Sequence, residues 1–192
     1  MREVDVRKAV HAKVLRAHRG DPDTLVIDEL GLCQGDARVD IAVVNGFLAG
    51  FEIKSQQDTL ERLPHQVEVY GRVLDRVTLV SAERHLDHAM HVIPDWWGVK
   101  VAKMGPRGAV ALRTQRRPRL NPALISSEIL QLLWREEAIA LLEELGRARG
   151  LRSKPRAVLY DHLDDLLSLD QVRDHVRAAL KARQGWRSES SP

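Results

Sequence analysis

Between Val4 and His18, apolar residues at Val6, Ala9, Val10, Val14, Leu15 and Ala17 fall at helical spacing. Basic side chains take the opposite face, so the pattern predicts a helix. Gly20-Asp21-Pro22 stops it. Thr24 to Leu32 is rich in Leu, Val and Ile and predicts a strand. Arg38 to Val44 alternates Val39, Ile41 and Val43 with Asp40 and Ala42, a second strand. Asn45-Gly46 is a strong hairpin signal. Phe47 to Lys54 answers it, with Phe47, Ala49, Phe51 and Ile53 on one face and Glu52 and Lys54 on the other. Asp58 to Leu74 reads as a helix with a kink or restart at Pro64. Val77 to Val80 reads as a buried strand and Glu83 to Met90 as a helix. Trp97 to Val101 and Ala109 to Arg113 read as two further strands around the turn Gly105-Pro106-Arg107-Gly108.

Beyond Arg116 the period becomes helical. Asn121-Pro122 reads as a helix start. Leu130 to Leu145 predicts one helix, Pro155 opens another, and Ser168 with Gln171 has capping-box spacing before a last one. Gln184 to Pro192 reads as a frayed tail. The expected organisation is an α/β core with a mixed sheet over residues 1–116, followed by a helical extension over 117–192.

Composition adds limits. The chain has 192 residues, 44% hydrophobic and 30% charged, enough for a folded core. No apolar run spans a bilayer and no signal peptide is visible, so a cytoplasmic protein is expected. Cys33 is the one cysteine, which rules out an intrachain disulfide and reads as a packed thiol. His85, His88 and His91 sweep around a helix and read as surface residues, and Trp96-Trp97 as core packing. The formal net charge is only +3, but seven basic residues and no acid lie between Lys100 and Leu120. Such a local excess attracts polyanions.

The candidate chemistry sits on the hairpin. Counting outward from Asn45-Gly46 brings Asp40 near Phe51 and Glu52, so Asp40, Glu52 and Lys54 converge on one face. By default an alternating polar position on a strand is solvated. Two carboxylates plus the Ile53 carbonyl would instead suit a hard divalent cation, with the lysine beside it.

Asp40, eleven intervening residues and then Glu52-Ile53-Lys54 resembles the PD-(D/E)XK nuclease superfamily, with Val39 in place of the usual proline. Gln66 with Tyr70, four apart, resembles the glutamine-tyrosine motif of its RecB-like and Cas-type subgroup. Glu29 resembles its extra upstream glutamate. The resemblance implies a restriction-endonuclease-like core and a Mg²⁺- or Mn²⁺-dependent nuclease, a hydrolase of phosphodiester bonds. Its substrate would be DNA ahead of RNA, cut without strong base preference. Asp40, Glu52, Glu29 and the Ile53 carbonyl would hold the metal, Lys54 would act on water, and Gln66 and Tyr70 would steady the site. Arg62, Lys100, Lys103, Arg107, Arg113, Arg116 and Arg117 would meet phosphates. The competing expectations are a catalytically weak nucleic-acid-binding module on the same fold, and an interaction protein acting through its helical tail. No membrane partner is expected, and a homodimer is admitted.

Overall fold

The computed structural model describes residues 1–183 apart from Arg19 and Arg107. The frayed tail expected over Gln184 to Pro192 lies outside the described residues. Six strands form one mixed sheet in chain order: β1 (Leu25–Leu32), β2 (Ala37–Val44), β3 (Leu48–Lys54), β4 (Arg76–Ala82), β5 (Gly98–Met104) and β6 (Val110–Arg116). β1, β2 and β3 run antiparallel to their neighbours, β3, β4 and β5 are parallel, and β6 returns antiparallel. The α/β class with a mixed sheet, expected from the alternation of periods, is the observed one.

The first helix is shorter than its apolar period suggests. α1 covers Glu3–Ala9, and the chain then widens into a π turn over Val10–Val14 and tightens into a 3₁₀ turn over Leu15–His18. The Asp5 carboxylate accepts the Arg2 amide, and acids at its start with bases at its end complement the helix dipole. The change of pitch still buries Val6, Val10 and Leu15, which pack with Ile41, Val43, Ile53 and Val80 on one face of the sheet.

The other face carries the larger cluster. The parallel crossovers place α2 (Leu63–Val73) and α3 (Leu86–Val92) there. α2 begins later than the sequence suggests, with Pro64 in its first turn. α4 (Ser126–Leu130), α5 (Arg135–Glu144), α6 (Arg156–Leu166) and α7 (Leu169–Ala182) cover the rest. Leu130, Leu142, Leu159, Leu163 and Leu180 belong to the same buried cluster as Leu74, Leu79 and Val99. Buried Asp75 accepts the Leu48 amide (2.6 Å) and the Arg173 guanidinium (2.7 Å), which fixes α7 to the sheet. Asp75 also contributes its backbone carbonyl, which accepts the Asn121 amide.

Two helical expectations change. Asn121 caps no helix. It is buried, and its amide nitrogen donates to the carbonyls of Gly71 (2.7 Å) and Leu74 (2.9 Å), closing the end of α2. The single helix expected from Leu130 to Leu145 is broken after Leu130. It restarts at Arg135, where the Glu137 carboxylate accepts the Trp134 amide. The capping box at Ser168 and Gln171 is present and starts α7. Among the described residues, no helix is long and apolar enough to cross a membrane.

Candidate functional site: an acid-lined cleft at the fork of β2 and β3

The β2–β3 ladder runs from Val44↔Leu48 to Ile41↔Phe51 and then stops. Asn45-Gly46 builds a three-residue loop with Phe47, whose amide donates to the Asn45 side chain. At the fork, the Asp40 carboxylate substitutes for a strand partner and accepts the Ile53 amide at 2.6 Å. The neighbouring ladder opens at the same level. Asp28 pairs with Ile41 and Leu30 with Val39, but Glu29 between them pairs with nothing and has φ of 59°. A glutamate in the left-handed region is a costly conformation that neighbours must maintain. Here it turns the Glu29 side chain out of the strand.

The result is a cleft of about 520 Å³, lined among others by Glu3, Glu29, Asp36, Asp40, Glu52 and Asp58. It opens where parallel β3 ends, and ligands of open α/β sheets commonly lie beyond the carboxyl ends of such strands. Two separate constellations share it.

The first is a carboxylate trio. Glu3, Glu29 and Asp40 bring one oxygen each within 4.8 Å of the others. The Arg7 guanidinium lies among them. It donates to Glu3 (2.6 Å), to Glu29, to the Asp40 carbonyl (2.7 Å) and to the Asp40 carboxylate (3.3 Å). Arg38 pairs with the other Glu29 oxygen at 2.7 Å. Burial, and then the Glu52 charge, push the Asp40 carboxyl up to about 7, against the pull of the Ile53 amide and Arg7.

The second is a closed buried network. Glu52 is 1% exposed and Lys54 4%. Lys54 Nζ and Gln66 Nε2 both donate to Glu52 Oε1 at 2.7 Å, and Lys54 also donates to Gln66 Oε1 at 2.9 Å. The Tyr70 hydroxyl lies 2.7 Å from Glu52 Oε2 and 2.7 Å from the Arg38 carbonyl. Burial, and then Glu52, hold that phenol well above its ordinary range. Alternation along β3 and the four-residue step along α2 bring these four side chains together, as their spacing suggests.

The sequence therefore groups residues that the fold divides. Glu29 and Asp40 meet, and Glu52 turns away into the network. Ile53 joins Asp40 through its amide. Glu3 and Arg7, which complete the trio, carry no motif. Their one signal is i, i+4 spacing on a helix that packs over the hairpin.

Of the basic residues, Arg62 is exposed at the cleft. Lys103 and Arg113 are exposed on one face of the β5–β6 hairpin, and Arg117 is exposed after it. Lys100 donates to Thr114 Oγ1 at 2.8 Å, and burial lowers its pKa. Arg116 is tied to the carbonyls of Trp97 (2.6 Å) and Pro94 (3.1 Å). Arg107 lies outside the described residues. His85 is buried rather than on the surface, because it follows β4 directly in a 3₁₀ turn.

A family model described as Bacteriophage P4 protein cII matches residues 1–190. A curated relative, protein cII of Enterobacteria phage P4, is 27% identical over 161 residues, 84% of this chain. The chain spans 60% of the length of that relative. No solved structure matches. These matches overturn the resemblance drawn from Asp40, Glu52, Lys54, Gln66 and Tyr70. Membership of the PD-(D/E)XK superfamily, metal-dependent phosphodiester hydrolysis and the hydrolase class are all corrected. An acid and a Glu-x-Lys on a hairpin followed by Gln-x-x-x-Tyr is a pattern that a buried ion-pair network also needs, and the resemblance rested on that pattern. The chain belongs to the family of bacteriophage P4 protein cII.

Proposed function

We propose that this protein binds nucleic acid, DNA ahead of RNA, through backbone phosphates and without strong base preference. The observation that carries the reading is the β5–β6 hairpin at the sheet edge. It lies within a stretch, Lys100 to Leu120, of seven basic residues and no acid. Lys103, Arg113 and Arg117 are exposed along it. Such groups contribute affinity through counterion release and carry no sequence information themselves. β5 runs parallel to β3, so Met104 and Lys54 end at the same side of the sheet and the hairpin tip flanks the acid-lined cleft.

An acidic wall beside a phosphate chain is repulsive unless a cation stands between them. The donor set of Glu3, Glu29 and Asp40 fits a hard divalent cation, Mg²⁺ or Mn²⁺, because it offers oxygens only and already surrounds a guanidinium. When bound, the cation would supply positive charge facing a phosphate. This reading sets the protein in the cytoplasm.

The test is fluorescence anisotropy of labelled single-stranded DNA, duplex DNA and RNA across a salt series, with Mg²⁺ or with EDTA. Changing Lys103, Arg113 and Arg117 to alanine should weaken binding equally across sequences. It should also flatten the salt dependence by about one unit for each phosphate-facing charge removed. Salt-independent binding, or an unchanged triple variant, would overturn the proposal.

A further inference from the structure

Arg7 is the residue in the cleft that the proposed function leaves unused. Its side chain is 18% exposed and is held by Glu3, Glu29 and Asp40 at once. These are the same three carboxylates that would hold a cation. Oxygens around Mg²⁺ lie about 2.1 Å from the ion, hence no more than about 4.2 Å from one another. The trio, within 4.8 Å, is close to that size with the guanidinium between its members. Arginine and metal therefore need the same oxygens and the same space.

Arg7 also has somewhere to go. A second cavity, of about 400 Å³, adjoins the first and is lined by Arg7 together with Ser55, Gln57 and Asp58. Glu3 and Asp58 line both cavities. The helix need not move for the side chain to cross. Val6 and Val10 on either side of Arg7 are 0% exposed and anchor α1 in the apolar cluster beneath.

We propose that Arg7 is a built-in counter-cation that closes the carboxylate trio, and that a divalent cation displaces it toward the Asp58 side. This inference rests on the cation reading above. In the closed state the three acids are neutralised from within. In the open state the cation takes their oxygens, and the released guanidinium adds a phosphate donor at the cleft rim. Cation and nucleic acid then favour the same state, so each strengthens the other.

Mn²⁺ binding to the full chain, read from the free-ion electron paramagnetic resonance signal, tests it. Arg7→Gln should bind Mn²⁺ about tenfold or more tighter than wild type, because the charge-assisted bonds no longer have to be broken. Asp40→Asn should lose binding. In wild-type protein labelled with ¹⁵N-arginine, Mg²⁺ should shift the Arg7 Nε–H signal, and this needs no variant to fold. Equal affinity in wild type and Arg7→Gln, lost in Asp40→Asn, would overturn the arginine switch and leave the cation site standing. So would an unmoved Arg7 signal while Mn²⁺ binds. Absence of Mn²⁺ binding in all three proteins would overturn both.

Discussion

Replacing Glu52 by glutamine removes one charge from a side chain that is 1% exposed and is shared by Lys54, Gln66 and Tyr70. The amide keeps the volume but offers one accepting oxygen where there were two. Tyr70 can still donate to the Arg38 carbonyl, 2.7 Å away. Lys54, 4% exposed, cannot recover its counter-charge. Removing one partner of a buried ion pair costs roughly 3–5 kcal/mol, because the remaining charge is stranded. That is a large part of the ~5–15 kcal/mol that holds a domain together. Urea unfolding followed by tryptophan fluorescence is a suitable assay. Trp97 is fully buried and stacks on Tyr70 at 5.9 Å between ring centres, so it reports the network directly. Adding Lys54→Met to Glu52→Gln should recover most of the loss, since an apolar replacement of a buried pair is often neutral. A change below about 1 kcal/mol for Glu52→Gln, or no recovery in the double variant, would refute the closed-network argument.

Other consequences are as direct. The Asp40 carboxyl titrates near 7 in the folded protein against 3.8 in its ordinary state, so folding takes up a proton there and the metal-free protein loses stability as pH rises from about 4 through 7. Asp40→Asn should therefore gain on wild type across that window, by up to ~4 kcal/mol before its weaker pairing with Arg7 is counted. Thermal melts in EDTA at pH 5 and pH 8 would show it, and a constant difference would refute it. Asp75→Ala strands the Leu48 amide and the Arg173 and Arg177 guanidinium groups, and should cost ~3–5 kcal/mol in urea unfolding. Gly98→Ala would set a methyl 2.7 Å from Pro118 Cδ and 2.8 Å from its nitrogen, and should lower stability by ~1–3 kcal/mol by the same assay. The Cys33 thiol, pushed up to about 12 by burial and then by its hydrogen bond with Glu128, should react with iodoacetamide at pH 7.5 far more slowly than a free thiol.

Local periodicity was enough to read most elements. Alternation from Val39 to Ile53 around Asn45-Gly46 marks the hairpin, and Ser168 with Gln171 marks the start of α7. Register was not legible to the residue, because the ladder stops at Ile41↔Phe51 and a side chain takes over from the backbone. The contents of the cleft were half legible. Residues on one strand or one helix, such as Glu52 with Lys54 and Gln66 with Tyr70, announce their shared face. Arg7 and Glu3 reach the site through the packing of α1, and no spacing within the hairpin encodes that. Asn121 looked like a cap because its sequence neighbour is proline. The carbonyls it satisfies belong to Gly71 and Leu74, some fifty residues away. Function was the least legible, because a buried ion pair beside a cleft is written in the same residues as a reactive centre.

The sheet's strand order has a bearing on synthesis. Because the six strands stand in chain order, each can pair with the one before it as the ribosome delivers it. Asp75 is the exception to this local growth. It enters beside Leu48 early, but its arginine is Arg173, 98 residues later. Until α7 has left the exit tunnel, the nascent sheet carries an acid waiting for its partner. The last helix then acts as a completion signal, and chains interrupted before it would be the first handed to the cell's proteases.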